Sequence, residues 1–335
     1  MTTQRPVLTT VGASEDGVWN RATTLVPPPS GSAVGWAVRF GWAARRAPAV
    51  IVRGTSGGSE RYRDLLAATA TRLLAPKTRV VVSDATIEPT SRHLVAGRSR
   101  VSVVARSLVP HLARALVRSV DSPRVVWCVL SRAEVDRFPR TWGTTRGTVR
   151  FTPFTHTLVR SGEDRVRPTG DHLFSGGNSL RDHALLQEAV AGLGVRVVVA
   201  SSWRPVVPQA DVEVRTATHE EFVELMATSR GVVLCLEPAA RSTGQQTYLN
   251  AMAVGRPTIV TEADGVRDHI EDGVTGVVAP RTVEGVRAAV SDLLDAARAD
   301  VYASMGSRAR DAARTGFSPE AYRARLLAIA REPAA

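Results

Sequence analysis

Short apolar runs rich in valine recur along the chain, each bounded by polar or glycine-containing segments. Ala49–Arg53 (AVIVR), Arg79–Ser83 (RVVVS), Arg124–Leu130 (RVVWCVL) and Val149–Phe154 read as strands in the first half. His172–Phe174, Arg196–Ala200, Val212–Val214, Gly231–Leu236 (GVVLCL), Pro257–Thr261 and Val277-Val278 do so in the second. Continuous β-branched runs without polar alternation fit strands covered on both faces, as in parallel sheets. Between them lie segments of helical spacing: Glu60–Leu74, Leu108–Val120, Ser131-capped Arg132–Phe138, Leu180–Ala189 and Glu221–Thr228. Tyr248–Ala253, Thr282–Ala297, Arg298–Thr315 and Pro319–Arg331 follow, and Asp264-Gly265 is expected to start one more. Arg100–Ala105 adds a strand by its β-branched content. The expectation is an α/β protein of two Rossmann-like parallel-sheet domains facing a cleft. Residues 1–48 would form a loose arm and a helix, 49–158 the first domain and 159–316 the second. Residues 317–335 would be a C-terminal helix packing back toward the first domain.

A length of 335 residues suits two such domains, and a 44% hydrophobic content supplies their cores. No apolar run approaches the ~20 residues of a membrane helix, and the N-terminus carries no cationic-then-apolar leader. The expected location is cytoplasmic. Cys128 and Cys235 sit inside apolar runs and read as buried free thiols. The formal charge of +11 rests on 43 basic residues, nearly all arginine. They are scattered and not interleaved with aromatics, which argues against specific nucleic-acid binding. Residues 33–47 (AVGWAVRFGWAARRA) combine Trp36, Phe40 and Trp42 with arginines. They read either as a helix packed on the first domain or as a peripheral contact with the inner face of an anionic membrane.

In parallel sheets, loops after the strands hold the ligand, because helix N-termini point free N–H groups there. Four loops draw attention. Gly54–Gly58 fits the letters of a nucleophile elbow, but it follows the first strand with no Asp/His pair evident. A turn admitting a ligand near Gly57 and Gly58 is the better account. Asp84 ends the second strand and serves either as a base or as a turn cap. Ser175-Gly176-Gly177-Asn178-Ser179 joins a strand to a helix, a phosphate-cradle geometry. Ser242-Thr243-Gly244 opens the helix that ends at Gly255, with Pro257 as a stop. No Asp-x-Asp metal motif is present; Asp211-Val212-Glu213 is the nearest match.

The stretch Asn250-Ala251-Met252-Ala253-Val254-Gly255-Arg256-Pro257-Thr258-Ile259-Val260, continuing as Gly265…Ile270-Glu271-Asp272-Gly273-Val274-Thr275-Gly276, resembles a known pattern. It is similar to the donor half of GT-B fold nucleotide-sugar glycosyltransferases, closest to family-four-like enzymes. Phe174-Ser175-Gly176-Gly177 and Ser131-Arg132-Ala133-Glu134-Val135 add support, and the likeness runs over about 129–315. Thr243-Gly244-Gln245-Gln246-Thr247 resembles the Ser-Gly-x-x-Thr diphosphate loop of lipid-linked N-acetylglucosaminyl transferases. The family's Glu-x7-Glu pair is replaced by Ser242 and Asn250, and its Arg and Lys phosphate pair by Asn178 and Arg181 as nearest occupants.

What the resemblance implies is a glycosyltransferase that moves a sugar from a nucleotide diphosphate-sugar to an unidentified acceptor without a metal or a resident cofactor. The diphosphate would lie on Gly176, Gly177, Asn178, Arg181, Thr243, Gly244, Gln245, Gln246 and Thr247, and the ribose by Asn250. Gly57 and Gly58 would meet a small-molecule, lipid or glycan acceptor. Asp84, His156 and Arg181 are the catalytic candidates, the first two as base and Arg181 as the cation facing the departing diphosphate. A non-catalytic partner subunit, or an epimerase or phosphorylase of the same architecture, is the alternative.

Overall fold

The computed structural model describes residues 5–13, 16–28, 31–54, 62–87, 103–160, 162–239 and 241–333, with the backbone alone for 103–109. The chain forms two compact units, 1–152 with 322–335, and 153–321. Each is an α/β layer structure on a fully parallel six-stranded sheet.

In the first unit the strands are β1 (Val7–Thr9), β2 (Thr23–Leu25), β3 (Ala49–Arg53), β4 (Arg79–Ser83), β5 (Val125–Val129) and β6 (Thr148–Phe151), ordered β2-β1-β3-β4-β5-β6. The helices are α1 (Gly17–Ala22), α2 (Ala33–Ala44), α3 (Arg63–Leu74), α4 (Val103–Val120) and α5 (Arg132–Trp142). The described residues of 7–25 are therefore not a loose arm. Three-residue strands flanked by polar turns carry too little periodicity to register in sequence, and β1 is fixed by pairing to β3. Val103–Ala105, expected as a strand, starts α4. Its β-branched content is a weak preference that the longer helix overrides. α2 buries Trp36, Ala37, Phe40, Gly41 and Ala44, and Gly41 lets it approach α3 closely: a Cβ there would lie 2.8 Å from the Ala70 carbonyl. Its opposite side leaves Val34, Val38 and Trp42 exposed, with the Arg45 guanidinium 4.7 Å above the Trp42 ring. Buried Asp121 accepts N–H bonds from Thr145 (2.8 Å), Arg146 (3.0 Å) and Gly147 (2.8 Å), which pins the turn into β6.

The second unit holds β7 (His172–Gly176), β8 (Arg196–Ala200), β9 (Val212–Arg215), β10 (Gly231–Leu234), β11 (Thr258–Thr261) and β12 (Val277–Ala279), ordered β12-β11-β10-β7-β8-β9. Its helices are α6 (His183–Val190), α7 (His219–Ala227), α8 (Gln245–Ala253), α9 (Val283–Leu294) and α10 (Ala299–Gly316). Successive residues on one strand face opposite layers. Phe174, Val232, Leu234 and Val260 pack with Tyr248 and Met252, while Leu173, Val197, Val233 and Ile259 pack with Val286, Val290 and Leu293. The pattern explains the unbroken apolar runs. α7 starts with a complete capping box, Thr218 with Glu221. The helix expected at Asp264 is a series of turns instead, with Gly265 at φ +84°.

α11 (Pro319–Arg331) spans the boundary, and its residues from Tyr322 on join the first unit. There Arg323 pairs with buried Asp16 at 2.7 Å, and Arg79 donates to the carbonyls of Ile329 (3.2 Å) and Pro333 (2.7 Å). The units thus divide at Thr152/Pro153 and Ala321/Tyr322 rather than at 158/159 and 316/317. Among the described residues no helix is long and apolar enough to cross a membrane. Both cysteines are buried free thiols, pushed up to about 11 at Cys128 and about 12 at Cys235 by burial, and so protonated at neutral pH.

Candidate donor site at the strand ends of the second sheet

β7 and β10 are neighbours, and the loops after them meet. At the end of β7, Gly176 is forced by close packing: a Cβ would lie 2.5 Å from the Phe222 ring. Gly177 takes φ +101°, open to glycine alone among common residues. Leu180 also has positive φ, +56°, an outlier for a branched side chain and a mark of stored strain. That kink turns Arg181 back, where it makes an antiparallel bridge to Leu236 beyond β10. Arg181 therefore lies in the loop, and α6 begins only at His183, capped by Asp182.

The Arg181 guanidinium fastens the two loops together. Its Nε donates to Gly176 O (3.1 Å), Nη1 to Ser179 O (2.7 Å) and Thr243 Oγ1 (3.2 Å), and Nη2 to Thr247 Oγ1 (3.3 Å). All four acceptors are neutral, and one of the five guanidinium N–H groups remains over. Burial, and then the neighbouring Arg241, pull its pKa down to about 10. It stays charged at neutral pH, but as a desolvated cation beside a second cation. Arg241 reaches Ser179 Oγ at 3.1 Å, so both cations gather at one loop. A positive centre without a carboxylate partner on Arg181 is suited to an anion.

On the other side Gly244, at φ +87°, is the N-cap of α8; Thr247 N turns back to Gly244 O at 2.9 Å, while the N–H groups of Gln245 and Gln246 have no partner within the helix. Thr243, Gln245 and Thr247 are buried there, and Gln245 Nε2 has no hydrogen-bond partner among the described residues. A cavity of ≈ 200 Å³ opens beside Thr243 and Arg241, with Glu237, Glu262 and Asp264 on its wall.

The structure thus brings Gly176, Gly177, Arg181, Thr243, Gly244, Gln245 and Thr247 together. Asn178 is engaged elsewhere: its Oδ1 accepts from Ser201 Oγ (2.7 Å), Ser202 N (2.7 Å) and Ser202 Oγ (3.1 Å), anchoring the loop after β8. Asn250 is buried, with Oδ1 taken by Thr157 N at 2.7 Å and Nδ2 donating to Thr157 Oγ1 at 3.1 Å. Gln246 Nε2 also donates to Thr157 Oγ1, at 3.2 Å. Ser242 is buried, at 1% exposure. Sequence reasoning gave no role to Arg241 or His183, and none to Ser179 beyond its place in the loop. The His183 Nε2 lies 3.0 Å from Gly177 O and its ring tilts against Trp203, bracing the glycine loop.

Asp84 directly follows β4 in the first unit, with φ +50°; its Oδ1 accepts from Thr86 Oγ1 at 3.1 Å and its carbonyl from Thr86 N at 2.8 Å. That is a turn-capping arrangement, half-buried. Gly54 is needed beside it, since a Cβ would lie 2.7 Å from Asp84 O. Gly57 and Gly58 lie outside the described residues. Buried Asp64, unnoticed in sequence, accepts from Thr10 Oγ1, Arg53 N and Arg63 Nε and organises the same end of that sheet.

His156, in the second unit, is buried and its Nδ1 has no partner among the described residues. Burial holds it below the usual 6.5, and does the same to His183. Both stay neutral in the fold, while the unfolded chain protonates near pH 6.5. Stability is accordingly lost as pH falls from about 6.5 toward the lowered folded values, by at most about 1.4 kcal/mol per pH unit for each group. The expected result is a falling melting temperature on acidification, shallower in His156→Gln; an identical slope would remove His156 from the account.

Among the described residues no group of three His, Cys, Asp or Glu side chains could hold a metal ion. Residues 179–296 match the family model described as glycosyl transferases group 1. No curated protein matches the chain. Among solved structures, a glycosyltransferase from Rickettsia africae is 12% identical with TM-score 0.64, covering 98% of this chain and 89% of its own. Sucrose-phosphate synthase from Thermosynechococcus elongatus is 14% identical with TM-score 0.60, covering 92% and 80%. Anabaena HepE in complex with UDP and glucose is 13% identical with TM-score 0.59, covering 92% and 86%. The fold is GT-B.

Proposed function

We propose that this GT-B chain, whose residues 179–296 match group 1 glycosyl transferases, moves a sugar from a nucleotide diphosphate-sugar to an acceptor. The observation that carries it is the Arg181 cluster: a desolvated cation of the matched segment that joins the Gly-Gly loop just before that segment to the N-terminus of α8 within it. As the bond from the anomeric carbon to the diphosphate oxygen breaks, negative charge grows on that oxygen. Arg181, Arg241 and the Gln245 and Gln246 N–H groups at the start of α8 already gather where such charge would develop, so little reorganisation is needed. The diphosphate is assigned to Gly177, Arg181, Thr243, Gly244, Gln245 and Thr247, with the sugar toward the Glu237–Asp264 cavity. Ser242 supplies no carboxylate, and Asn250 serves by holding Thr157 against α8. The diphosphate charge is met by arginine and N–H groups, with no metal or cofactor assigned a part. HepE, with its bound UDP, supports a uridine nucleotide as the first to try.

Acceptor chemistry is assigned to the first unit, near Asp84; His156, in the second unit, is the other candidate proton acceptor. Exposed Val34, Val38 and Trp42 on α2, with Arg45, are suited to resting on an anionic membrane. The test is a melting screen with UDP, GDP, ADP and dTDP. One should stabilise the fold, by about 2.7 kcal/mol at a hundredfold excess over its Kd. Its sugar nucleotide should then be slowly hydrolysed without acceptor. Silence from all four nucleotides overturns the proposal; binding without turnover marks an inert partner subunit.

A further inference from the structure

The first sheet carries a second charged feature, at the end opposite Asp84. Arg5 precedes β1, Lys77 and Arg79 lead into β4, and Arg124 precedes β5. With Arg331, the last residue of α11, they line a cavity of ≈ 200 Å³. Ligands of parallel sheets bind at the strands' C-terminal ends. This cavity lies at the N-terminal ends and shares no residue with the donor site.

Five cations face one carboxylate there, Glu332. Glu332 is already engaged, by Arg150 at 2.5 Å and Arg79 at 3.5 Å, and the arginines hold its carboxyl below the usual range. Arg79 is further occupied by the carbonyls of Ile329 and Pro333, so the end of α11 and its dipole account for this one cation. They do not account for the others. Among the described residues Arg5, Lys77, Arg124 and Arg331 make no side-chain hydrogen bond or ion pair. Four uncommitted cations around one concavity repel each other, and a bound anion relieves that.

We propose that this cavity binds a phosphate-type oxyanion. Arginine forks and a lysine point charge are the groups that recognise phosphate, through charge-assisted hydrogen bonds. The anion comes either free in solution or as the headgroup of an anionic lipid. The second source is given weight by α2, whose last turn carries exposed Trp42 and from which Arg45 and Arg46 lead to Pro48 on the cavity wall.

The experiment compares wild type, the Lys77→Ala/Arg124→Ala double variant and Arg181→Ala, the last controlling for phosphate held at the donor loops. Inorganic phosphate is titrated against sodium chloride of equal ionic strength, with melting temperature as readout. Phosphatidylcholine vesicles with and without phosphatidylglycerol are pelleted in parallel. A free anion shows as a phosphate-specific rise of several degrees in wild type and Arg181→Ala that the double variant lacks. A lipid headgroup shows as pelleting with phosphatidylglycerol vesicles that falls at least tenfold in the double variant. The proposal is overturned if the double variant matches wild type in both assays, including the case where neither anion acts. If the double variant melts lower at the outset, Arg331→Ala, at the exposed end of α11, takes its place.

Discussion

Replacing Arg181 by alanine is expected to lower kcat/KM for sugar transfer by about 10²–10³-fold, the usual cost of losing one donor aimed at developing charge. That is about 3–4 kcal/mol of transition-state stabilisation. The size follows from position. The guanidinium is bonded to both loops, through Gly176 and Ser179 on one side and Thr243 and Thr247 on the other. It is also desolvated, with its pKa drawn down to about 10, so its field at the diphosphate is poorly screened. The melting shift from the nucleotide should vanish with the activity. The melting temperature without nucleotide should change little, because the bonds lost are to neutral oxygens and the cation removed was costly to bury. Arg181→Lys keeps the charge but not the fork, and should fall between the two. Full nucleotide binding by Arg181→Ala would remove this residue from the site.

Gly306→Ala is expected to destabilise the second unit by about 2 kcal/mol, against the usual sign for such a change. In an ordinary helix interior, alanine in place of glycine gains up to about 1 kcal/mol. Here α10 crosses α8 so closely that a Cβ at 306 would sit 2.3 Å from the Gly255 carbonyl oxygen. That atom is backbone, held by the Gly255 turn at φ +74°, and cannot swing away. Either the helices part or the turn deforms, and both costs exceed the propensity gain. Gly192→Ala makes the contrast, since nothing lies within 4 Å of a Cβ there and only its φ of +74° opposes the change. Denaturant unfolding read by near-ultraviolet signal would show the difference; a more stable Gly306→Ala would refute the close-crossing argument.

The second sheet was legible because its strands are long enough, and apolar on both faces, to stand out from their loops. Gly177, Gly244, Gly255 and Gly273 all take positive φ, so their placement in the sequence marked real turns. What escaped had different causes. Val7–Thr9 and Thr23–Leu25 are strands only because β3 and each other supply the partners. Asn178 and Asn250 stood at the right positions, but their amides are turned to Ser201, Ser202 and Thr157, a matter of rotamer that no spacing reveals. The basic cavity is built from residues between 5 and 331, assembled only by the sheet and α11.

The return of α11 to the first unit has a consequence for how the molecule is made. Residues 153–321 form one unbroken segment, whereas the first unit draws on both ends of the chain. During synthesis at about 5–20 residues per second, the first sheet waits roughly 10–30 s with its α11-binding surface uncovered while the second unit is produced. Tyr322, Leu326 and Leu327, all buried in the finished fold, arrive only then. Asp16 and Arg79, near the start, are held meanwhile without Arg323 and the end of α11. The unit translated first is therefore completed last, and a ribosome stalled before Tyr322 would leave a finished second unit tethered to an unfinished first.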